Sequence, residues 1–344
     1  MNVIESFLQR WCGPILLLVT GACYLATIEA GFVFDDIFLI VQNRFLADSG
    51  KMDELLFGNL WAGELAPDGR TSFYRPLFLL SLYLDRHFFG LDPGWHHFHS
   101  LLWHLLSTGL LFRVLRIWFE PLQALLGAAV FALHPAQSEV VVWVSARNDS
   151  MAAAFSLGAM LLQCGPRFGI WRAAAGLLLG AAAILSKETA LALPLWIMLL
   201  APEKGALRAL SPFLGIMCAL LLRKGLGISP SFPDGDHLQL LASNLLPMLC
   251  DVSSTLLIPW PLSPSHPLAW MDVEGWRWIA ACAALILAGL RIWRGGRLER
   301  VGALIWASSF GPAILAVAMS GVYGDRYLYL PMIGIGFLVA GLRL

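Results

Sequence analysis

Asp35 and Asp36 stand side by side after Gly31-Phe32-Val33-Phe34. A carboxylate at the edge of water and under an aromatic cover can take a proton from an alcohol, and apolar surroundings raise its pKa toward a useful value. Taken alone, the pair reads first as two solvated acids ending a helix. A second group is Phe131-Ala132-Leu133-His134-Pro135-Ala136-Gln137-Ser138-Glu139, followed by Trp143, Arg147 and Asp149. The four-residue spacing of Glu139, Trp143 and Arg147 predicts that they stack on one helix face. Arg147 falls in or beside an apolar run, where a charge is costly and faces a polar cavity or a partner. The plainer alternative is an ion pair with Glu139 or Asp149.

Ser186-Lys187-Glu188 and Gly324-Asp325-Arg326-Tyr327 each interrupt apolar stretches. Together Arg75, Arg147, Lys187 and Arg326 could ring one anion, because a guanidinium fork and an ammonium point charge both suit phosphate oxygens. Snorkelling, or pairing with a nearby acid, would explain each cation singly. Histidines concentrate in Trp95-His96-His97-Phe98-His99, with His104 two helical turns beyond His97. A metal would need a further ligand from elsewhere. Hydrogen-bonding histidines at a helix entrance are the reading adopted, and no metal site is assigned. Asn148-Asp149-Ser150 has the form of a glycosylation sequon but lies at an apolar run.

The elements that position these residues follow from composition. Of the 344 residues 58% are hydrophobic and only 13% charged, more apolar surface than a soluble domain of this size could hide. In lipid, apolar runs must satisfy their own backbone hydrogen bonds as helices. Windows near 12–30, 98–117, 121–134, 141–163, 171–186, 188–201, 207–222, 275–293, 301–321 and 327–343 predict an all-α polytopic membrane protein of about ten spans, with a range of about nine to twelve. Arg113, Arg116, Arg167, Arg172, Lys204, Arg208, Arg291, Arg294, Arg297 and Arg300 fall on one side of that arrangement, which is therefore cytoplasmic.

The opposite side then receives two long segments, 31–97 and 223–274, and the turns at His134, Lys187 and Arg326. Within the first segment, Asp48-Ser49-Gly50 precedes a stripe of Met52, Leu55, Leu56 and Leu60, which predicts a capped surface helix. A second surface helix should begin at Arg75-Pro76 and run through Leu77, Leu80 and Tyr83-Leu84. The stretch 238–259 reads as a helix lying in the outer interface. The 23 basic and 23 acidic residues cancel, which argues against a nucleic-acid partner. The six cysteines are scattered through apolar segments and read as small buried hydrophobes.

In order along the chain, Phe34-Asp35-Asp36 with Asn43, Tyr74-Arg75-Pro76-Leu77, Gly90-Leu91-Asp92-Pro93 leading to His97 and His104, Phe131 to Pro135 with Glu139, Trp143, Arg147 and Asp149, Lys187-Glu188 before Pro194, and Arg326-Tyr327-Leu328-Tyr329-Leu330-Pro331 resemble the transmembrane and tetratricopeptide-repeat O-mannosyltransferases and their bacterial relatives. The resemblance spans residues 31–331 and implies a GT-C glycosyltransferase fold as a single domain over 1–344. The tetratricopeptide repeats do not occur in these 344 residues, and no soluble C-terminal domain is expected within them.

The resemblance further implies a polyprenyl-phosphate sugar donor, inversion at the anomeric carbon and a protein Ser/Thr or glycan hydroxyl as acceptor. It places the site on the non-cytoplasmic face of a bacterial inner membrane or, failing that, of the endoplasmic reticulum. Asp35 corresponds to the base, with Asp36 orienting it or binding the acceptor. Arg75, Arg147, Lys187 and Arg326 would face the donor phosphate, supported by His97, His104, His134, Glu139, Glu188 and Tyr327. Whether a divalent cation assists stays open. A lipid-sugar flippase and a non-catalytic scaffold for glycan or pilus assembly are the competing classes.

Overall fold

A computed structural model describes residues 3–61, 73–201, 203–228, 235–270 and 272–342; residues 62–72 and 229–234, within the two predicted outer segments, lie outside the described residues. The first apolar run forms α1 (Val3–Tyr24) and closes through a 3-10 turn at Leu25–Glu29. An irregular turn holding Asp35 and Asp36 leads to α2 (Arg44–Ala47), which starts where Asn43 accepts the Phe45 N–H. Asp48 accepts the Gly50 N–H and so caps the turn that opens α3 (Met52–Phe57), where the stripe predicts a helix. Next come α4 (Pro76–Phe89), with Pro76 in its first turn, and α5 (Pro93–Leu115), which carries the histidines.

The middle of the chain forms α6 (Pro121–Leu133), α7 (Ser138–Val142), α8 (Arg147–Cys164), α9 (Ile170–Ser186), α10 (Leu193–Leu200) and α11 (Gly205–Gly225). The remainder forms α12 (Gly235–Thr255), β1 (His266–Pro267), α13 (Gly275–Arg294), α14 (Arg297–Ser320), β2 (Val322–Tyr323) and α15 (Pro331–Ala340).

Among the described residues, Ser6–Glu29, Pro93–Leu115, Gly205–Gly225, Gly275–Arg294 and Arg297–Ala318 are long and apolar enough to cross a membrane. Pro121–Leu133 with Pro135–Val142 would add a span bent by 54°, and Ile170–Ser186, Glu188–Leu200 and Pro331–Ala340 are apolar but shorter. The chain is an all-α, multi-pass membrane protein. Several of the apolar windows thus resolve into short or broken helices. The window 141–163 shows why: its helix starts only at Arg147, and its first turn, Arg147-Asn148-Asp149-Ser150, is polar and buried.

The described residues group into two compact units. The first combines Leu17–Leu110 with Val140–Ser231. Its core gathers Leu39, Ile40, Leu46, Leu55, Phe78, Leu79, Leu82, Val144 and Met151 around α4 and the turn 33–41. On α4, Phe78, Leu79 and Leu82 are buried in this core. Leu84 is exposed and Leu77 and Leu80 half-buried, whereas Ser81 and Asp85 are buried. The buried side of α4 thus carries apolar core residues together with the polar pair Ser81 and Asp85. Helices α9 and α11 meet through small residues, since a Cβ on Gly215 would overlap the Leu177 carbonyl oxygen and one on Gly180 the Pro212 backbone.

The second unit combines Met1–Leu16, Leu111–Glu139 and Phe232–Leu344. Here α15 packs against α6 and α14, with the backbones of Gly127 and Gly336, and of Gly302 and Gly334, in direct contact. Ala136, Met248, Val252, Leu268, Phe310, Val317, Tyr323 and Leu328 form a buried cluster. Strands β1 and β2 pair antiparallel, His266 opposite Tyr323 and Pro267 opposite Val322.

Candidate active site

The acidic pair is divided by its surroundings. Asp36 is fully buried, and its Oδ1 accepts the Ser145 N–H at 2.8 Å together with the Ser145 hydroxyl. Its Oδ2 accepts the Val33 N–H at 3.2 Å. Burial pushes the Asp36 carboxyl above the ordinary carboxylate range, although the Ser145 and Val33 donors pull the other way. Asp35, one residue earlier, is only half-buried. Between Val33 and Asp35, Phe34 adopts φ 48°, a left-handed conformation that a bulky residue holds only when the surroundings impose it, at a cost of about 1–3 kcal/mol. The Phe34 ring is 65% exposed and meets Trp143 edge-on at 6.1 Å, while Phe32 meets His96 at 5.1 Å. His97, buried on α5, sits with Nε2 3.3 Å from the Gly31 carbonyl. The turn is therefore pinned at Gly31, Val33 and Asp36 and presents Asp35.

The clamp on Asp36 explains a departure from the expected helix face. Glu139, Trp143 and Arg147 do not stack: α7 ends at Val142, Trp143 is extended, and a 3-10 turn at Val144–Ala146 precedes α8. The Ser145 N–H that a continuous helix would use internally goes instead to Asp36.

Arg147 is wholly buried and pairs with neither Glu139 nor Asp149. Its Nη1 lies 2.6 Å from Asp85 Oδ2, Nη2 donates to the His96 carbonyl at 2.7 Å, and Nε donates to Ser100 Oγ at 3.0 Å. His99 completes the group: Trp103 Nε1 can only donate, so His99 Nε2 accepts at 3.0 Å and Nδ1 carries the proton directed to Asp85 Oδ1 at 2.6 Å. Burial would lift the Asp85 carboxyl, but His99 and Arg147 outweigh it and hold it below the usual range.

The other cations are also matched to acids. Lys187, buried just past α9, pairs with Asp149 in the first turn of α8. Arg75 Nη2 lies 2.8 Å and Nε 3.1 Å from Glu188 Oε2, and its guanidinium covers the Phe73 ring at 4.6 Å. In the second unit, Glu139 Oε2 accepts the Arg326 backbone N–H at 2.7 Å and Oε1 lies 2.6 Å from Arg326 Nη1, with the guanidinium 5.1 Å from the Tyr327 ring. His134 Nδ1 accepts the Ala136 N–H and so starts the turn Pro135–Gln137. His104 is buried, edge-on to Tyr24 at 5.3 Å.

Asp36 with Ser145, Arg147 with Asp85, Asp149 with Lys187, and Glu188 with Arg75 thus form successive links around the start of α8 within the first unit. Glu139, Arg326, Tyr327 and His134 belong to the second. Among the described residues no group of three or more His, Cys, Asp or Glu side chains could hold a metal ion. The sequence reading missed Ser145 and Asp85. Asp85 was detectable as an acid inside an apolar helix, but nothing marked Ser145.

This chain is 28% identical over 147 residues to protein O-mannosyl-transferase TMTC3 of Mus musculus, covering 43% of this chain and 16% of that protein. To Tmtc1 of Drosophila melanogaster it is 34% identical over 127 residues, 37% of this chain and 15% of that protein. To TMTC4 of Mus musculus it is 26% identical over 213 residues, 54% of this chain and 29% of that protein. No family model matches, and no solved structure matches. Over about half its own length or less, and over less than a third of theirs, this chain is similar to proteins named as TMTC protein O-mannosyl-transferases.

Proposed function

We propose that this chain is a membrane glycosyltransferase of the GT-C type, which moves a mannose-like hexose from a polyprenyl-phosphate donor to a protein Ser or Thr hydroxyl on the non-cytoplasmic face. The observation that carries this reading is the turn at residues 33–36. It buries and clamps one carboxylate while leaving its neighbour, Asp35, half-buried next to the exposed Phe34. The names of the similar proteins supply the reaction class and the acceptor.

In this mechanism the acceptor oxygen attacks the anomeric carbon as Asp35 takes its proton, and the bond to the phosphate oxygen breaks with inversion. One base suffices, because the carrier phosphate leaves without needing a proton. General-base assistance of this kind is worth roughly 10²- to 10⁴-fold. Asp36 does not take a second proton. It is the anchor, and Ser145 is the positioning residue that fixes it.

Arg75 supplies charge stabilisation for the departing phosphate. Its ion pair with Glu188 is partly open to solvent, the two side chains being 11% and 28% exposed, so a phosphate can replace the carboxylate. Lys187 holds Asp149, and Arg147 serves as a buried post that fixes α8 to α4 and α5.

The 54° bend between α6 and α7 favours a second reading, a lipid-sugar flippase, since broken helices recur in transporters. One assay separates the two. Protein in lipid nanodiscs is given a radiolabelled polyprenyl-phosphate mannose and a Ser/Thr-rich peptide, and the same donor is followed in proteoliposomes. Label in the peptide supports transfer, whereas donor that crosses the bilayer without transfer supports the flippase.

A further inference from the structure

We propose that His266 is a proton-operated latch that fastens the segment between α12 and α13 onto the rest of the second unit. This inference does not rest on the catalytic reading.

The latch is built from groups on every element around the imidazole. His266 Nε2 lies 3.5 Å from Asp325 Oδ1, just after β2, and Nδ1 lies 3.9 Å from Asp251 Oδ2 on α12. The ring stacks on Tyr323 of β2 at 4.4 Å and 10°. Asp251 in turn accepts from Arg277 in the first turn of α13 and from the Tyr323 hydroxyl. Glu139 of α7 and Arg326 pair beside the cluster, His134 after α6 faces Asp325, and Cys250 neighbours Asp251. The two acids and Arg277 are buried, while the imidazole is 18% exposed and so within reach of solvent protons.

The segment itself is tied down through the same residues. Ser263 N–H donates to Asp325 Oδ2 at 2.6 Å, Arg277 Nη2 donates to the Pro261 carbonyl at 2.9 Å, and Arg326 Nη1 donates to the Pro264 carbonyl at 2.9 Å.

Protonation decides whether this arrangement balances. Both ring nitrogens face carboxylates, and only the imidazolium has an N–H for each. A neutral ring leaves one carboxylate opposite a lone pair. Three acids, Asp251, Asp325 and Glu139, then stand against two guanidinium groups, Arg277 and Arg326, and protonated His266 removes the excess negative charge. Burial alone would lower the imidazole pKa, but Asp325 and Asp251 outweigh it and raise it. The sign follows. A folded pKa above the unfolded value of about 6.5 means the latch stabilises fully below that pH and is lost as pH rises through the folded value.

Hydrogen–deuterium exchange on the full chain in nanodiscs, corrected for intrinsic rates and run from about pH 5.5 to about pH 8.5, tests this. Exchange in residues 256–270 should rise about tenfold or more across the range while α14 keeps its protection, since each pH unit above the folded pKa weakens the latch by up to tenfold. His266→Gln should exchange quickly in that segment and without pH response above about pH 7, since the Asp251 carboxyl, pushed up to about 6 by burial, responds only at the acid end. Asp325→Asn, a milder change, should reduce the response and shift its midpoint to lower pH. A pH-independent wild-type profile would overturn the proposal. So would a wild-type response surviving above about pH 7 in His266→Gln, or, where that variant loses protection in α14 as well, an unshifted midpoint in Asp325→Asn.

Discussion

Asp36 uses both carboxylate oxygens to hold three donors, and its neighbour Asp35 is left with a different environment and a different task. Asp36→Asn places an amide N–H₂ where an acceptor is required, so it should destabilise the protein by about 1–3 kcal/mol, measured as a lower midpoint in thermal unfolding. It should also change the pH dependence. A buried carboxyl whose folded pKa is raised favours the folded state most at low pH and withdraws that contribution as pH rises through the folded value. The variant's unfolding midpoint should therefore vary less on that limb than the wild type's.

Asp85 has the opposite sign. Held below its ordinary value by His99 and Arg147, it stabilises above the unfolded carboxylate pKa and loses that contribution as pH falls through the folded one. Arg147→Met leaves Asp85 buried without its guanidinium and should cost about 3–5 kcal/mol, whereas Arg147→Met with Asp85→Leu should recover most of the loss. An unfolding titration in which the single and double variants are equally damaged would argue against the post.

At the scale of elements, legibility depended on whether the signal was local. The starts of α3 and α4 were readable because Asp48 and Pro76 act within one turn of themselves. The break at residues 143–146 was not, because its cause is a carboxylate more than a hundred positions away that takes the Ser145 N–H. The polar pair on the buried side of α4 was hidden for a related reason. Ser81 and Asp85 are held by Arg147, a partner more than sixty positions along the chain.

Small-residue contacts between helices carry a direct prediction. Gly215→Ala sets a methyl against the Leu177 carbonyl and should force α9 and α11 apart at a cost of about 1–3 kcal/mol. Ala at Gly225, where a Cβ meets nothing within 4 Å, is the matched control and should cost nothing, because helix propensity favours Ala over Gly. Equal melting shifts for the two variants would contradict close packing as the cause.

For the whole molecule, composition identified the membrane, while the number of long spans needed the structure, because short and broken helices look like full windows in sequence. The ordered motifs indicated where chemistry could lie, and the structure tied most of those in the first unit to the start of α8. It also gave an acidic partner to each of the four cations expected at a donor phosphate. The basic residues predict an orientation that cysteine labelling can read. On a cysteine-free background, Asp48→Cys should react with an impermeant maleimide from the non-cytoplasmic side and Arg297→Cys from the cytoplasmic side.

The central claim, that Asp35 is the base and Asp36 its anchor, meets its most direct test in transfer of labelled mannose from polyprenyl phosphate to peptide by Asp35→Asn, with donor binding and unfolding midpoint measured on the same sample. The account predicts transfer reduced by about 10²-fold or more, with unfolding and donor binding close to wild type. Wild-type transfer rates in Asp35→Asn would contradict it.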